Sequence, residues 1–107
     1  MKILNITEDA ITFDNGNTIT YDHEQDCCEW NYADFKQIDE KPIYNKEFDE
    51  NLIFEAVEEA GFRFGSNPLD MVFVPCYSYQ NGYYSSDIQI LYNGIPRLCF
   101  EAEEHFC

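Results

Sequence analysis

The stretch Phe48-Asp49-Glu50-Asn51-Leu52-Ile53-Phe54-Glu55-Ala56-Val57-Glu58-Glu59-Ala60 decides how the chain is read, because it is the best candidate for a long helix. Leu52, Ile53, Ala56, Val57 and Ala60 recur at helical spacing and would form one apolar stripe. Glu50, Glu55, Glu58 and Glu59 would lie away from it. Gly61 stands where a helix end favours glycine. Two acids in the last turn oppose the helix dipole, a small defect. The spacing predicts one main helix over 48–60.

Strands are expected on both sides of this element. Residues 2–7 are rich in Ile and Leu and make a first strand. Residues 10–13 and 18–22 flank Asp14-Asn15-Gly16, a hairpin signal. A two-residue loop there would put Ile11 and Ile19 on opposite faces. A three-residue loop with Gly16 in the left-handed region pairs Ile11 with Ile19 and Thr12 with Thr18, which keeps the apolar face intact. From His23 to Phe35 two readings stay open. Asp26 could cap a short helix burying Cys27, Trp30 and Phe35, or alternating Cys28, Trp30 and Tyr32 could form a strand. Residues 36–46, with Pro42, read as a loop.

Beyond the helix, Gly65-Ser66-Asn67-Pro68 is a turn. Residues 71–79 and 83–92 surround Asn81-Gly82, whose two-residue turn would set Tyr79 beside Tyr84, Phe73 beside Ile90 and Met71 beside Tyr92. A third strand near 97–101 follows Asn93-Gly94. Leu98 and Phe100 join the Ile88/Ile90 face only if that connection has an odd length. The expected fold class is α+β. An antiparallel sheet of five to six strands, with hairpins and a C-terminal meander, packs against the main helix in a single domain over 1–107.

Composition supports a packed core, with 45% hydrophobic and 17% aromatic residues. Charge is the outlier: 21 acidic against 6 basic residues, net −15. Residues 1–60 hold 16 acids and 4 bases, a net −12, whereas 61–100 hold only Asp70 and Asp87 against Arg63 and Arg97. Such a surface disfavours nucleic-acid phosphates and anionic membranes, and leaves a basic partner, divalent cations or simple solubility open. No run reaches the ~18 apolar residues of a membrane span. The opening Met1 to Asp9 turns acidic too soon for a secretory leader, so a cytoplasmic location is expected, with the five cysteines as thiols. The oligomeric state has no sequence signal.

The sharpest local chemistry is His23-x-x-x-Cys27-Cys28-Glu29. Imidazole and thiolates suit zinc, and Cys99, His105 and Cys107 could complete a site. Against this, there is no Cys-x-x-Cys knuckle, and small buried thiols are the plainer reading of Cys27 and Cys28. A Cys/His nucleophile using His23 or His105 is opposed by Asp22, Glu24, Asp26 and Glu29, whose charge disfavours a thiolate. Asp22, Glu24 and Asp26 mimic the start of an EF-hand. Cys27, however, occupies the glycine position and Ala33 the bidentate one. No catalytic motif is present and no cofactor is expected, with zinc as a candidate metal.

Two surfaces could bind a partner. One is acidic: Glu50, Glu55, Glu58 and Glu59 on the predicted helix, with Asp22 and Glu24. Its plainer reading is solubility. The other is the tyrosine hairpin Tyr77, Tyr79, Tyr83 and Tyr84, whose Tyr/Ser/Asn composition resembles an antibody contact loop, though tyrosines also simply pair well across strands.

The first hairpin running into Asp26-Cys27-Cys28-Glu29 resembles small uncharacterised domains of phages and of gut and soil bacteria. In these a hairpin leads into a His-x-x-x-Cys-Cys-Glu-like segment, and a Gly-Tyr-Tyr-type strand follows, here Gly82-Tyr83-Tyr84. The likeness covers about a third of the chain. It implies a stand-alone accessory protein of a phage, mobile element or gut bacterium, and no activity. The acidity at Asp22, Glu24 and Asp26 departs from the pattern.

The resulting expectation is a non-enzymatic binding or accessory protein that docks a basic partner through its acidic face. Two other functions are expected to compete with it: a nucleic-acid-mimicking inhibitor of a host nuclease or defence complex, and a zinc-supported domain using His23, Cys27 and Cys28. Carboxylates gathered around a bound ion or a deep cleft would instead favour a metal protein or an enzyme.

Overall fold

The computed structural model describes residues 1–22, 30–57, 60–80, 87–101 and 103–106. Among them are ten strands: β1 (Ile3–Ile6), β2 (Ala10–Phe13), β3 (Thr18–Asp22), β4 (Trp30–Ala33), β5 (Ile53–Val57), β6 (Gly61–Asn67), β7 (Asp70–Gln80), β8 (Asp87–Tyr92), β9 (Ile95–Glu101) and β10 (Glu103–Phe106). Two short 3-10 helices, Phe35–Ile38 and Lys41–Asn45, connect β4 to β5 where a loop is expected. One sheet runs β1-β2-β3-β8-β9. The other runs β10-β7-β6-β5, with β4 also paired to β7. The expected α+β class is therefore wrong. The described chain is almost entirely β, and no helix reaches seven residues.

The main helix is the principal error. Residues 53–57 form β5, antiparallel to β6, with Ile53 opposite Gly65, Phe54 opposite Phe64 and Glu55 opposite Arg63. Leu52 is buried and Phe54 packs on the core, stacked on Phe64 at 6.4 Å between ring centroids. Ile53 and Ala56, which the helical stripe would bury, are exposed. A helix over 48–60 would have left Phe54 off its apolar stripe. An extended chain instead turns Leu52 and Phe54 to the same face, and a partner strand carrying Phe62 and Phe64 meets them. Gly61 ends no helix. It opens β6 against Val74, where a side chain has no room.

The first hairpin has the expected register. Ile11 pairs with Ile19 and Thr12 with Thr18, and Gly16 turns at φ +92°. The second expected hairpin is absent. β7 pairs with β6, β4 and β10, whereas β8 lies in the other sheet between β3 and β9. Phe73 thus faces Arg63, and Met71 faces Gly65, not Ile90 and Tyr92. Asn81-Gly82 lies outside the described residues, and a tight Asn-Gly turn operates at Asn93-Gly94, where φ is +53° and +78°. This two-residue loop sets Tyr92 opposite Ile95 and Leu91 opposite Pro96. A bulge then leaves Arg97 over, so that Ile90 faces Leu98 and Ile88 faces Phe100. The odd residue that parity demands lies in the bulge and not in the loop. Trp30–Ala33 settles the other ambiguity in favour of a strand for its described part.

Both sheets contribute to one core. Ile3, Ile6, Ile11, Phe13, Ile19, Ile88 and Ile90 come from the first, and Ala33, Phe62, Phe64, Val74 and Cys76 from the second. Rings from the β4–β5 connection bridge the sheets. Phe48 meets Phe13 edge-on at 5.6 Å and stacks on Phe64 at 5.6 Å, while Phe35 meets Tyr21 at 5.8 Å and Phe62 at 6.4 Å. Such pairs add about 0.5–1.5 kcal/mol each beyond area burial.

Polar bonds hold the chain just before β5 to β8 and β9. The Tyr92 hydroxyl donates to the Glu50 carbonyl at 2.8 Å and accepts from Asn17 Nδ2 at 2.8 Å. The Arg97 guanidinium donates to the Leu52 carbonyl at 3.1 Å and covers the Phe54 ring at 5.1 Å. Tyr92→Phe removes both of the hydroxyl's bonds, to the Glu50 carbonyl and the Asn17 amide, at a part-buried place. Urea denaturation should show a loss of about 1–3 kcal/mol, and an unchanged midpoint would contradict the bonding described.

Candidate functional site

A cleft of about 390 Å³ opens where the two sheets meet beside β4. It is lined by Glu8, Asp9, Tyr21, Tyr32, Ala33, Asp34 and Lys36. Local bonding sets each of them. Thr7 Oγ1 accepts from the backbone N–H of Asp9 at 3.3 Å and of Ala10 at 3.1 Å, so the β1–β2 turn presents Glu8 and Asp9 outward. Tyr21 comes from β3 and its ring rests against buried Phe35. Tyr32, from β4, lies against Tyr77 at 5.5 Å.

The segment after β4 is tied to β7. The Asp34 N–H donates to the Pro75 carbonyl at 2.8 Å. Gln37 Nε2 then bridges Asp34 Oδ2 at 3.1 Å and the Tyr77 hydroxyl at 3.0 Å. Lys36, the one cation among the described residues lining the cleft, donates to the Ile6 carbonyl at 3.3 Å and to Asp39 Oδ2 at 3.0 Å. The Tyr44 hydroxyl donates to Asp39 Oδ1 at 2.5 Å. That bond and Lys36 hold the Asp39 carboxyl below its ordinary value.

Carboxylates therefore outnumber cations around two phenol rings. Burial, then Asp9 and Glu8, push the Tyr21 phenol above its ordinary 10.0. Burial raises Tyr92 as well, and the Asp39 bond raises Tyr44. Folding favours the protonated phenol in all three cases. Their contribution is complete below the unfolded value near 10 and is lost as pH rises through the folded values. We expect stability to fall above about pH 10, and a urea midpoint that stays flat from about pH 9 to about pH 11 would contradict this.

Of the expected acidic site residues, Glu50, Glu55 and Asp22 are described, and they lie on different elements. Glu50 lies in the loop before β5, where its carboxylate accepts from Asn15 Nδ2 at 3.4 Å. Glu55 lies on β5 and pairs with Arg63 at 2.5 Å, so its charge is partly neutralised. Asp22 is exposed at the end of β3, opposite Gln89. Without the helix, no common helical face unites Glu50 with Glu55. In the tyrosine hairpin, Tyr77 pairs with Tyr32 and Tyr79 with Trp30, so both belong to an inner strand of the second sheet. Glu24, Glu58, Glu59, Tyr83, Tyr84, His23, Cys27 and Cys28 lie outside the described residues. Among the described residues no group of three His, Cys, Asp or Glu side chains is placed to hold a metal ion. Cys76 is buried, and burial pushes its thiol far up, which makes it an inert core residue.

The sequence of a domain of unknown function, DUF7448, matches residues 2–90. The chain belongs to the DUF7448 family. The match runs from β1 into β8 and includes every described residue that lines the cleft. No curated protein and no solved structure matches the chain. Among the described residues no helix is long and apolar enough to cross a membrane.

The cleft itself escapes sequence reading. Glu8-Asp9 looks like an ordinary turn, and Tyr32 is visible only as part of an alternating strand. Only the pairing of β4 with β7 brings Tyr32 and Asp34 to the end of the first sheet.

Proposed function

We propose that this DUF7448 protein is a small, acidic, non-enzymatic accessory protein that docks a basic protein partner. Its resemblance to phage and gut-bacterial domains suggests a cytoplasmic role beside a phage or mobile element. The observation that carries the reading is the imbalance of charge left after folding. Three of the six cations are already in ion pairs, Lys36–Asp39, Lys46–Asp70 and Arg63–Glu55, and Arg97 is held on a carbonyl and two rings. Glu47 is bonded to the Met1 amino group, while Glu8, Asp9, Asp14, Asp49 and Glu50 are exposed and outside these ion pairs. A net −15 of this kind steers basic partners and repels other copies of the chain and phosphate-rich surfaces.

The test is affinity capture from the source organism, with elution by increasing salt. The reading expects a basic protein that is released as salt rises. An acidic or neutral partner, or retention that ignores salt, would overturn it.

A further inference from the structure

We infer that the cleft beside β4 is the point at which an arginine side chain of the basic partner inserts. This rests on the docking reading above and names its contact. Three features of the cleft agree on a guanidinium. It is a concave space of about 390 Å³, roomy enough for one long side chain. Its lining supplies Tyr21 and Tyr32, and phenol faces attract a flat cation by cation–π contact and stacking. Glu8, Asp9 and Asp34 supply the carboxylates that a guanidinium fork bonds in pairs.

The alternatives are less well served. Lys36 does not neutralise the cleft fully, since its ammonium is bonded to the Ile6 carbonyl and to Asp39. The described carboxylates are not grouped to coordinate a metal ion. A lysine of the partner would gain the charge attraction, but its round ammonium lacks the planar fork and stacks less well. The rigidity of the walls also matters. Tyr21 is braced by Phe35, Tyr32 by Tyr77, and Asp34 by Gln37 and the Pro75 carbonyl, so little ordering remains to oppose binding.

Two synthetic peptides test this by calorimetric titration of the full chain. They share a Gly/Ser frame and differ only in carrying arginine or lysine. Two double variants remove equal charge: Glu8→Gln with Asp9→Asn at the cleft, and Asp49→Asn with Glu50→Gln elsewhere. The inference expects the arginine peptide to bind about tenfold tighter than the lysine peptide. It also expects the cleft variant to weaken arginine binding about tenfold, and the remote variant to change it less than about threefold. Equal binding of the two peptides, or equal weakening by the two variants, overturns the cleft and leaves salt-dependent docking intact. Failure of both peptides to bind, while the captured partner still binds the chain, overturns it in the same way. The absence of any basic partner removes the docking reading, and the cleft assignment with it.

Discussion

Gly61→Ala should destabilise the protein by about 3 kcal/mol or more. An ideal Cβ at this position falls 2.1 Å from the Val74 carbonyl oxygen and 2.9 Å from Pro75 Cα, both of them backbone. Neither can swing aside as a side chain would. Relief requires β6 to move off β7, and with it the pairing of Phe62 with Val74 inside the core. Gly94→Ala isolates the other cost a glycine can carry. Gly94 has φ +78° and open space around its missing Cβ, so alanine there meets only conformational strain of about 1–2 kcal/mol. Urea denaturation of both variants should rank Gly61→Ala well below Gly94→Ala. The reverse order would mean that β6 does not lie against β7 as described.

Phe48→Ala should cost about 3–5 kcal/mol. Phe48 is 2% exposed and lies between rings from the two sheets, Phe13 on one side and Phe64 on the other. Its N–H also donates to the Met1 carbonyl at 2.7 Å, so the chain before β5 is fixed against the start of β1. Truncation would leave a cavity at the junction of the sheets, where neither side can collapse alone. Phe48→Leu keeps most of the volume and should cost less than about 1.5 kcal/mol, so a graded series survives if alanine prevents folding. Leu69→Ala, at a side chain 98% exposed, should stay within about 0.5 kcal/mol. A Phe48→Ala effect no larger than that of Leu69→Ala would contradict the shared core.

Local turn chemistry was legible wherever it acts on its own neighbours. Asp14-Asn15-Gly16 and the parity of Ile11 and Ile19 decide a hairpin register without help from the rest of the chain. The same kind of signal misled at Asn81-Gly82, because a dipeptide that favours a tight turn does not choose which strands pair. β8 finds β3, with Ile90 opposite Tyr21 and Tyr92 opposite Ile19, and this long-range pairing wins. Residues 52–57 failed for a related reason. Leu52, Ile53, Ala56 and Val57 satisfy a helical period, and only the position of Phe54 off the stripe argues for alternation. β6, with Phe62 and Phe64 on one face, supplies the partner that turns the ambiguity into a strand. The cleft was less legible still, since its described walls come from three separate stretches of chain that only the two-sheet arrangement brings together.

The net charge was plain from composition, and the folded chain leaves most of it outside internal ion pairs. Its consequence is measurable directly. The dissociation constant of the captured partner, followed from about 50 to about 200 mM salt, should rise at least several-fold, through faster dissociation and slower encounter alike. A dissociation constant that stays flat across that range would show that carboxylates do not hold the complex, and the account of this protein as a charge-driven binder would fail.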